Sequence, residues 1–197
     1  MNTDSDLEKK ITYLINEFNS KNYELVISQV KELINTDVNI PIIYNLLGAS
    51  YSSTNMYLEA IDAYQNALRL DSKNEEVLRN IGKCYLSQKK YKDAQEYFNK
   101  SLVVKKDNPD ALFNLGFIEI LLDKPQQGIQ LLKQALNLNP SFTECIYNLG
   151  LCYKQLGDYI TAIDYYLKAI QTNSSHIKSY NNLGVCYLIL NDYQNAL

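Results

Sequence analysis

Four asparagines recur at a fixed spacing along the chain and have the chemistry to bind a polypeptide backbone. They are Asn80, Asn114, Asn148 and Asn182, each 34 residues after the last. An asparagine amide offers both a donor and an acceptor, so a row of amides could pair with the N–H and C=O groups of an extended peptide. The alternative is that these amides form hydrogen bonds within the protein itself.

Residues capable of catalysis or metal binding are few and scattered. His176 is the only histidine, and we expect it in a solvated turn with no evident Ser or Cys nucleophile to serve. Cys145 and Cys152 are seven residues apart, but no second pair and no histidine complete a zinc site. Cys84 and Cys186 share the register of Cys152 and are predicted to be small buried side chains. We therefore expect no catalytic residue, metal or cofactor, and no enzyme activity in this segment.

Charge and hydropathy restrict the classes of partner. The net charge is −3 and both signs are mixed along the chain, so we expect no nucleic-acid partner. No run of about 18 apolar residues exists that could cross a membrane. The first residues are polar and acidic, unlike a signal peptide, and the four cysteines are compatible with reduced thiols. These features predict a cytoplasmic protein that is not bound to a membrane.

The elements that position the asparagines follow from a glycine repeat. The glycines are separated by 34 residues each time and are Gly48, Gly82, Gly116, Gly150 and Gly184. Twelve residues after each glycine stands a small residue, from the set Ala60, Ala94, Gly128, Ala162 and Ala196. A glycine within a helix costs about 1 kcal/mol relative to alanine, so its recurrence needs a packing reason. The pattern predicts two helices per repeat whose backbones approach closely at the glycine.

The remaining pattern is helical throughout. Apolar residues recur at intervals of three, four and seven, and no strand-like alternation appears. Pro41 and Pro109 should open the first helix of their repeats, Pro125 should open a second helix, and Pro140 should lie in a turn. We predict an all-α fold of stacked antiparallel helix pairs.

This repeat resembles the tetratricopeptide repeat (TPR) family. In residues 143–176 the matching residues are Ile146, Leu149-Gly150, Tyr153, Ala162, Tyr166 and Ala169, with Ser174 where proline is usual. In residues 109–142 they are Leu112, Leu115-Gly116, Gly128, Leu132, Ala135 and Pro140, with Glu119 in place of the usual tyrosine. The resemblance implies a right-handed α-solenoid, the TPR superhelix.

The register divides the whole chain into repeats. The regular repeats are 41–74, 75–108, 109–142 and 143–176. A polar tail, 1–6, precedes a degenerate capping repeat, 7–40, for which Ser5-Asp-Leu-Glu8 is a candidate capping box. The last repeat, 177–197, is truncated soon after its first helix. We expect either that the chain is the N-terminal part of a longer protein or that a neighbouring chain covers this end, which would make a homo-oligomer.

The resemblance also implies that the first helix of each repeat lines a concave groove. The asparagines, at the sixth position of their repeats, would then bind peptide backbone. The neighbouring candidate side chains are Phe113, Phe117, Tyr147, Leu151 and Val185, which would form an apolar floor, and Arg79 and Lys83 towards the N-terminal part. The alternative for Phe113 and Phe117 is that they pack against a neighbouring repeat.

One known activity of the family can be tested on these residues. Chaperone-binding TPR domains hold the terminal carboxylates of a peptide with a clamp that needs two basic residues in its third repeat. Starting the clamp at 75–108, those positions hold Glu144 and Asn148, and one repeat earlier they hold Asp110 and Asn114. The acidic residues would repel a carboxylate, so the sequence excludes this clamp.

The sequence therefore predicts a scaffold that binds an extended segment of a protein or peptide. The alternative is a substrate-recruiting arm of a larger enzyme, because the asparagine row resembles the TPR arm of protein O-glycosyltransferases. A third hypothesis is self-assembly through the uncovered last repeat.

Overall fold

The computed structural model describes residues 3–192 and 194–196, and that part of the chain contains eleven α-helices and no strand. The helices are α1 (Thr3–Asn19), α2 (Tyr23–Asn35), α3 (Pro41–Ser53), α4 (Tyr57–Leu70), α5 (Glu75–Ser87), α6 (Tyr91–Val104), α7 (Pro109–Leu121), α8 (Pro125–Leu138), α9 (Thr143–Gln155), α10 (Tyr159–Thr172) and α11 (Ile177–Ile189). None of these helices combines the length and the apolar character that a membrane span requires. The predicted all-α solenoid of helix pairs is confirmed.

Proline and asparagine mark where several helices begin. Pro41, Pro109 and Pro125 are each the first residue of a helix, as predicted, because the missing N–H would have no partner there. The side chains of Asn74 and Asn108 cap α5 and α7 by accepting hydrogen bonds from the backbone N–H three residues on. Short polar turns and these start signals together divide the chain into helices of 13 to 14 residues after α1.

The N-terminus differs from the sequence-based prediction. Because α1 already begins at Thr3, residues 3–6 of the expected polar tail belong to the helix. Ser5 lies inside the helix and is not its N-cap, so the predicted capping box is wrong. An acidic residue such as Asp6 is favourable near the positive end of a helix, which explains why a polar, acidic segment is helical. Met1 and Asn2 lie outside the described residues.

The chain forms two compact units, Met1–Lys105 and Lys106–Leu197. The first contains the pairs α1–α2, α3–α4 and α5–α6 around a core that includes Leu14, Val30, Ile43, Tyr64 and Ile81. The second contains the pairs α7–α8 and α9–α10, followed by α11, and Ile146, Ala162, Tyr166, Ala169 and Cys186 lie in its core.

Within each unit, the repeated glycine lies beneath a large side chain of the paired helix. A Cβ atom on Gly48 would lie 2.6 Å from the ring of Tyr64, and one on Gly150 would lie 2.5 Å from Tyr166. Phe98 covers Gly82 in the same way, and Leu132 covers Gly116. The predicted close approach is present, and the atoms nearest to the glycine belong chiefly to the residue 16 positions later.

Candidate functional site

The three candidate asparagines of the second unit each form the same type of hydrogen bond within their own helix. The Nδ2 of Asn114 donates to the backbone carbonyl of Asp110 at 2.7 Å, and Asn148 donates to Glu144 at the same distance. Asn182 donates to the carbonyl of Lys178 at 3.1 Å. Each acceptor lies four residues earlier in the same helix. This bond orients the amide and leaves its second N–H and its Oδ1 for other partners.

Asn148 is the most enclosed of these amides. The residue is only 3% exposed, and its Oδ1 is buried and accepts no hydrogen bond from the described part of the protein. Asn114 is 8% exposed. A buried acceptor without a donor costs about 1–3 kcal/mol, so Asn148 is a point where an incoming N–H group would be favourable.

Asn182 is instead used within the protein. Its Oδ1 accepts a hydrogen bond from the Nζ of Lys154, and its Nδ2 also lies 3.1 Å from the hydroxyl of Tyr147. Tyr147 is itself buried, and its ring packs against Tyr166 and His176. Burial, with a smaller effect of the nearby Glu144 carboxylate, raises the pKa of Tyr147 above its usual value. At this repeat the structure brings Asn182 and Tyr147 together as a contact between α9 and α11.

The aromatic residues of α7 are half-buried. The rings of Phe113 and Phe117 are parallel, with centroids 6.3 Å apart. Phe113 also packs on Phe142, which lies at the start of α9, at 4.8 Å. Leu151 on α9 is half-buried as well, whereas Val185 on α11 is exposed. Phe113 thus packs against the N-cap residue of α9, while part of its surface stays open to solvent.

The basic candidates belong to the first unit. The Nε of Arg79 lies 3.3 Å from a carboxylate oxygen of Glu75, and both side chains are largely covered. Lys83, one turn further along α5, is exposed, and Asn80 is half-buried. Glu75 also accepts a hydrogen bond from the hydroxyl of Ser101. Arg79 is therefore held by its own helix.

The structure contradicts the expectation that His176 is a solvated turn residue. Its side chain is only 10% exposed and packs edge-on against the ring of Tyr147. Its Nδ1 lies 2.7 Å from the Ser179 hydroxyl, and its Nε2 lies 3.4 Å from a Glu144 carboxylate oxygen. Local sequence did not indicate this, because Glu144 is 32 residues away and adjoins His176 only when the repeats stack.

Ser179, His176 and Glu144 have the residue types of a hydrolase triad but not its accessibility. Ser179 is completely buried, so a substrate cannot reach its hydroxyl. His176 is the N-cap residue of α11, and its bond to Ser179 joins the cap to the first turn of the helix. We therefore interpret the cluster as a structural connection between α9 and α11.

The cysteines are buried and free, as predicted for Cys84, Cys152 and Cys186. Burial raises the pKa of Cys145 and of Cys152 to about 12, so both thiols are protonated and unreactive near neutral pH. The Sγ of Cys145 lies 3.1 Å from the carbonyl of Leu132. The described residues contain no group of three or more His, Cys, Asp or Glu side chains that could hold a metal ion.

Comparisons with known proteins agree with the repeated geometry. Profiles described as tetratricopeptide repeat match residues 39–107, 109–142, 143–176 and 165–197. A curated relative, the N-terminal acetyltransferase A complex auxiliary subunit NAA15 of Arabidopsis thaliana, is 42% identical over 59 residues. That match covers 30% of the chain, and the chain spans only 6% of the length of this relative.

Solved structures extend the likeness over most of the chain. A crystal structure of MamA is 29% identical, covers 76% of this chain and 88% of its own, and has a TM-score of 0.69. YrrB, described as a TPR protein with an unusual peptide-binding site, is 26% identical, covers 85% of this chain and 87% of its own, and has a TM-score of 0.66. PilF of Pseudomonas aeruginosa covers all of this chain and 89% of its own with a TM-score of 0.85, but at 19% identity it supports the fold alone. Because the family matches together cover nearly all of residues 39–197, the chain belongs to the tetratricopeptide repeat family.

Proposed function

We propose that the protein is an interaction scaffold that binds an extended segment of a partner protein along the first helices of its repeats. The membership in the TPR family supports this function, and so does the likeness to YrrB, whose description includes a peptide-binding site. The observation that carries the proposal is the unpaired, buried Oδ1 of Asn148 on an amide that its own helix already orients.

The mechanism is preorganisation of hydrogen-bonding groups. The bond from Asn148 to the Glu144 carbonyl fixes the amide, so little side-chain entropy is lost when a ligand binds. A peptide N–H group that gained access to the buried Oδ1 of Asn148 would supply the donor that this oxygen lacks. Asn114 carries the same local bond one repeat earlier and would bind the next stretch of the same peptide.

Apolar contacts would supply the preference for particular side chains. Phe117 and Leu151 are half-buried and lie on the same helices as Asn114 and Asn148. Parallel packing with Phe113 holds the ring of Phe117 in place. An aliphatic or aromatic side chain of the partner would cover these surfaces, which favours a partly apolar segment.

The test uses peptides selected from a random phage-displayed library on the wild-type protein. Replacing Asn114 and Asn148 together by Ala should weaken the binding of such a peptide by about tenfold or more, measured by fluorescence anisotropy, because two backbone hydrogen bonds are lost. Asn99→Ala, at an exposed position of α6, is the matched control and should leave the affinity unchanged. Unchanged affinity in a double variant of wild-type helicity would remove the amides from the mechanism.

A second candidate is the role of a recruiting arm in a larger transferase. It is favoured by the matched relative, which is an auxiliary subunit of an N-terminal acetyltransferase complex. Affinity purification of the protein from the source organism, followed by a transferase assay of the purified material, distinguishes the two functions. A scaffold should co-purify with its partner but without transferase activity.

Self-assembly is the third candidate. The last described helix, α11, keeps several large apolar side chains exposed, among them Ile177, Leu188 and Ile189. Light scattering over a concentration series measures this directly, since self-assembly predicts a mass that rises with concentration.

A further inference from the structure

Stacked tyrosines join the two helices of a repeat in each unit. In the first unit, Tyr85 of α5 stacks on Tyr97 of α6, with ring centroids 5.5 Å apart. In the second unit, Tyr153 of α9 stacks on Tyr165 of α10 at 5.4 Å. Both pairs occupy the same register of the 34-residue repeat. They define a place where a ring of the second helix covers a ring of the first.

The repeat at 41–74 keeps one ring of this pair and lacks the other. Tyr51 stands 34 residues before Tyr85, but Ala63 stands where Tyr97 would be expected. A groove of about 560 Å³ opens there between α2, α3 and α4. Leu47, Tyr51 and Ala63 are among its lining residues, and Leu58, on α4, is 67% exposed beside them. This volume is within the range of ligand sites in proteins.

The repeat at 41–74 also lacks the positive charge that accompanies the second ring. In the next repeat the ammonium of Lys100 lies 4.6 Å from the Tyr97 centroid and 2.6 Å from the Glu96 carboxylate. The groove keeps the acidic residue as Asp62 but has the uncharged Asn66 in the register of Lys100. Glu59 adds a second exposed carboxylate to the same side. The repeat at 41–74 thus keeps Tyr51 and Asp62, but it has no equivalent of Tyr97 or of Lys100.

The opposite wall of the groove has a movable cover. The exposed side chain of Lys31 on α2 places its ammonium 5.5 Å from the centroid of the Tyr51 ring. Tyr51 is 7% exposed and also belongs to the core of the first unit. A long surface lysine can change rotamer at little cost, so an aromatic ring of a ligand could displace it and occupy the face of Tyr51.

We propose that this groove is a second protein-binding site, which accepts an aromatic side chain and a lysine or arginine three residues later on a helix of a partner protein. The ring would stack on Tyr51 above Ala63, and the cation would pair with Asp62 and Glu59. The spacing is that of Tyr97 and Lys100, which fill the equivalent place in the next repeat. None of the residues of the proposed peptide groove lines this site.

The first test uses a fluorescein-labelled, alanine-based helical peptide that contains Tyr and Lys three residues apart. The wild-type protein should bind it about tenfold more tightly than the matched peptide in which Ala replaces Tyr, as measured by anisotropy. Replacing the peptide lysine by Glu should also weaken binding. Equal affinities for the Tyr and Ala peptides would overturn the proposal.

Variants of the protein test whether the Tyr-Lys peptide binds in this groove. Ala63→Tyr supplies the missing ring from the chain itself and should abolish binding of the Tyr-Lys peptide. Because Ala63 is buried, Asp62→Lys at an exposed position provides a second variant that spares the core, and it should weaken binding about fivefold. Asp164→Lys, at the equivalent position of α10, is the control and should have no effect. Wild-type affinity in a folded Asp62→Lys protein would refute the site.

Discussion

At the scale of single residues, the contact between a helix glycine and a ring of the partner helix sets how closely each pair packs. The ring carbon of Tyr166 lies where only a hydrogen atom fits on Gly150, since a Cβ there would be 2.5 Å away. Glycine is therefore required at this position by the ring that packs against it.

Substituting Gly150 by alanine should destabilise the protein. Gly150→Ala should lower the free energy of unfolding by about 1–3 kcal/mol, because the new methyl group must displace the buried Tyr166 ring. Urea denaturation followed by circular dichroism measures this change. A Gly150→Ala protein as stable as wild type would contradict the packing argument.

Sequence alone predicts the close approach of two helices at the glycine, but neither the residue that meets it nor the state of the candidate site. The pattern pairs Gly150 with Ala162, whereas the atoms nearest to Gly150 belong to Tyr166. The hydrogen bond of Asn148 to its own helix, and that of Asn182 to Tyr147, depend on side-chain torsions and on contacts between repeats. For the same reason His176 appeared to be a surface residue, although Glu144 and Tyr147 enclose it.

At the scale of elements, the same turn geometry follows the first helix of every repeat. A residue with φ near +60° follows the first helix, and the set is Lys21, Asn55, Lys89, Asp123, Gly157 at +78°, and Asn191. The next N–H donates to a carbonyl five residues earlier, as in the bond from Lys90 to Tyr85 at 2.9 Å. These are the features of a Schellman motif, which satisfies carbonyl groups at the end of a helix.

The left-handed residue of this turn offers a simple route to a more stable protein. Lys89→Gly should raise the free energy of unfolding by about 1 kcal/mol, because a lysine at positive φ is strained and glycine is not. Asn55→Gly is the matched control, and its gain should be smaller because asparagine tolerates this conformation. Thermal unfolding of the two variants decides the point. An equal or larger gain for Asn55→Gly would show that strain at Lys89 is not the cause.

The positions of the elements were largely predictable, and the exceptions have local causes. The starts of α3, α7 and α8 follow from their prolines, and the 34-residue register aligns the turns. The start of α1 at Thr3 was not predicted, because a short acidic segment without apolar residues resembles a tail as much as a helix N-terminus.

At the scale of the whole molecule, the buried hydroxyl and thiol groups make stability sensitive to alkaline pH. Burial raises the pKa of Tyr64 in the first unit and of Tyr166 in the second well above the usual range of tyrosine. Cys145 and Cys152 add two buried thiols whose pKa is raised to about 12. In the unfolded chain, the same groups ionise near their ordinary values of about 8.5 for cysteine and 10 for tyrosine.

A pKa that is higher in the folded state contributes stability below the unfolded pKa and loses it as the pH rises. We therefore expect the melting temperature to be level near neutral pH, to fall above about pH 8.5 as the unfolded cysteines ionise, and to fall more steeply above about pH 10 as the unfolded tyrosines ionise. Each group contributes about 1.4 kcal/mol per pH unit once its unfolded form ionises. Tyr166→Phe removes one such group, and its buried hydroxyl has no hydrogen-bond partner among the described residues, so the variant should stay folded and show a shallower alkaline decline. Tyr180→Phe, at an exposed position of α11, should leave the decline unchanged. Identical alkaline profiles for wild type and Tyr166→Phe would mean that the buried phenol does not remain protonated in the native protein.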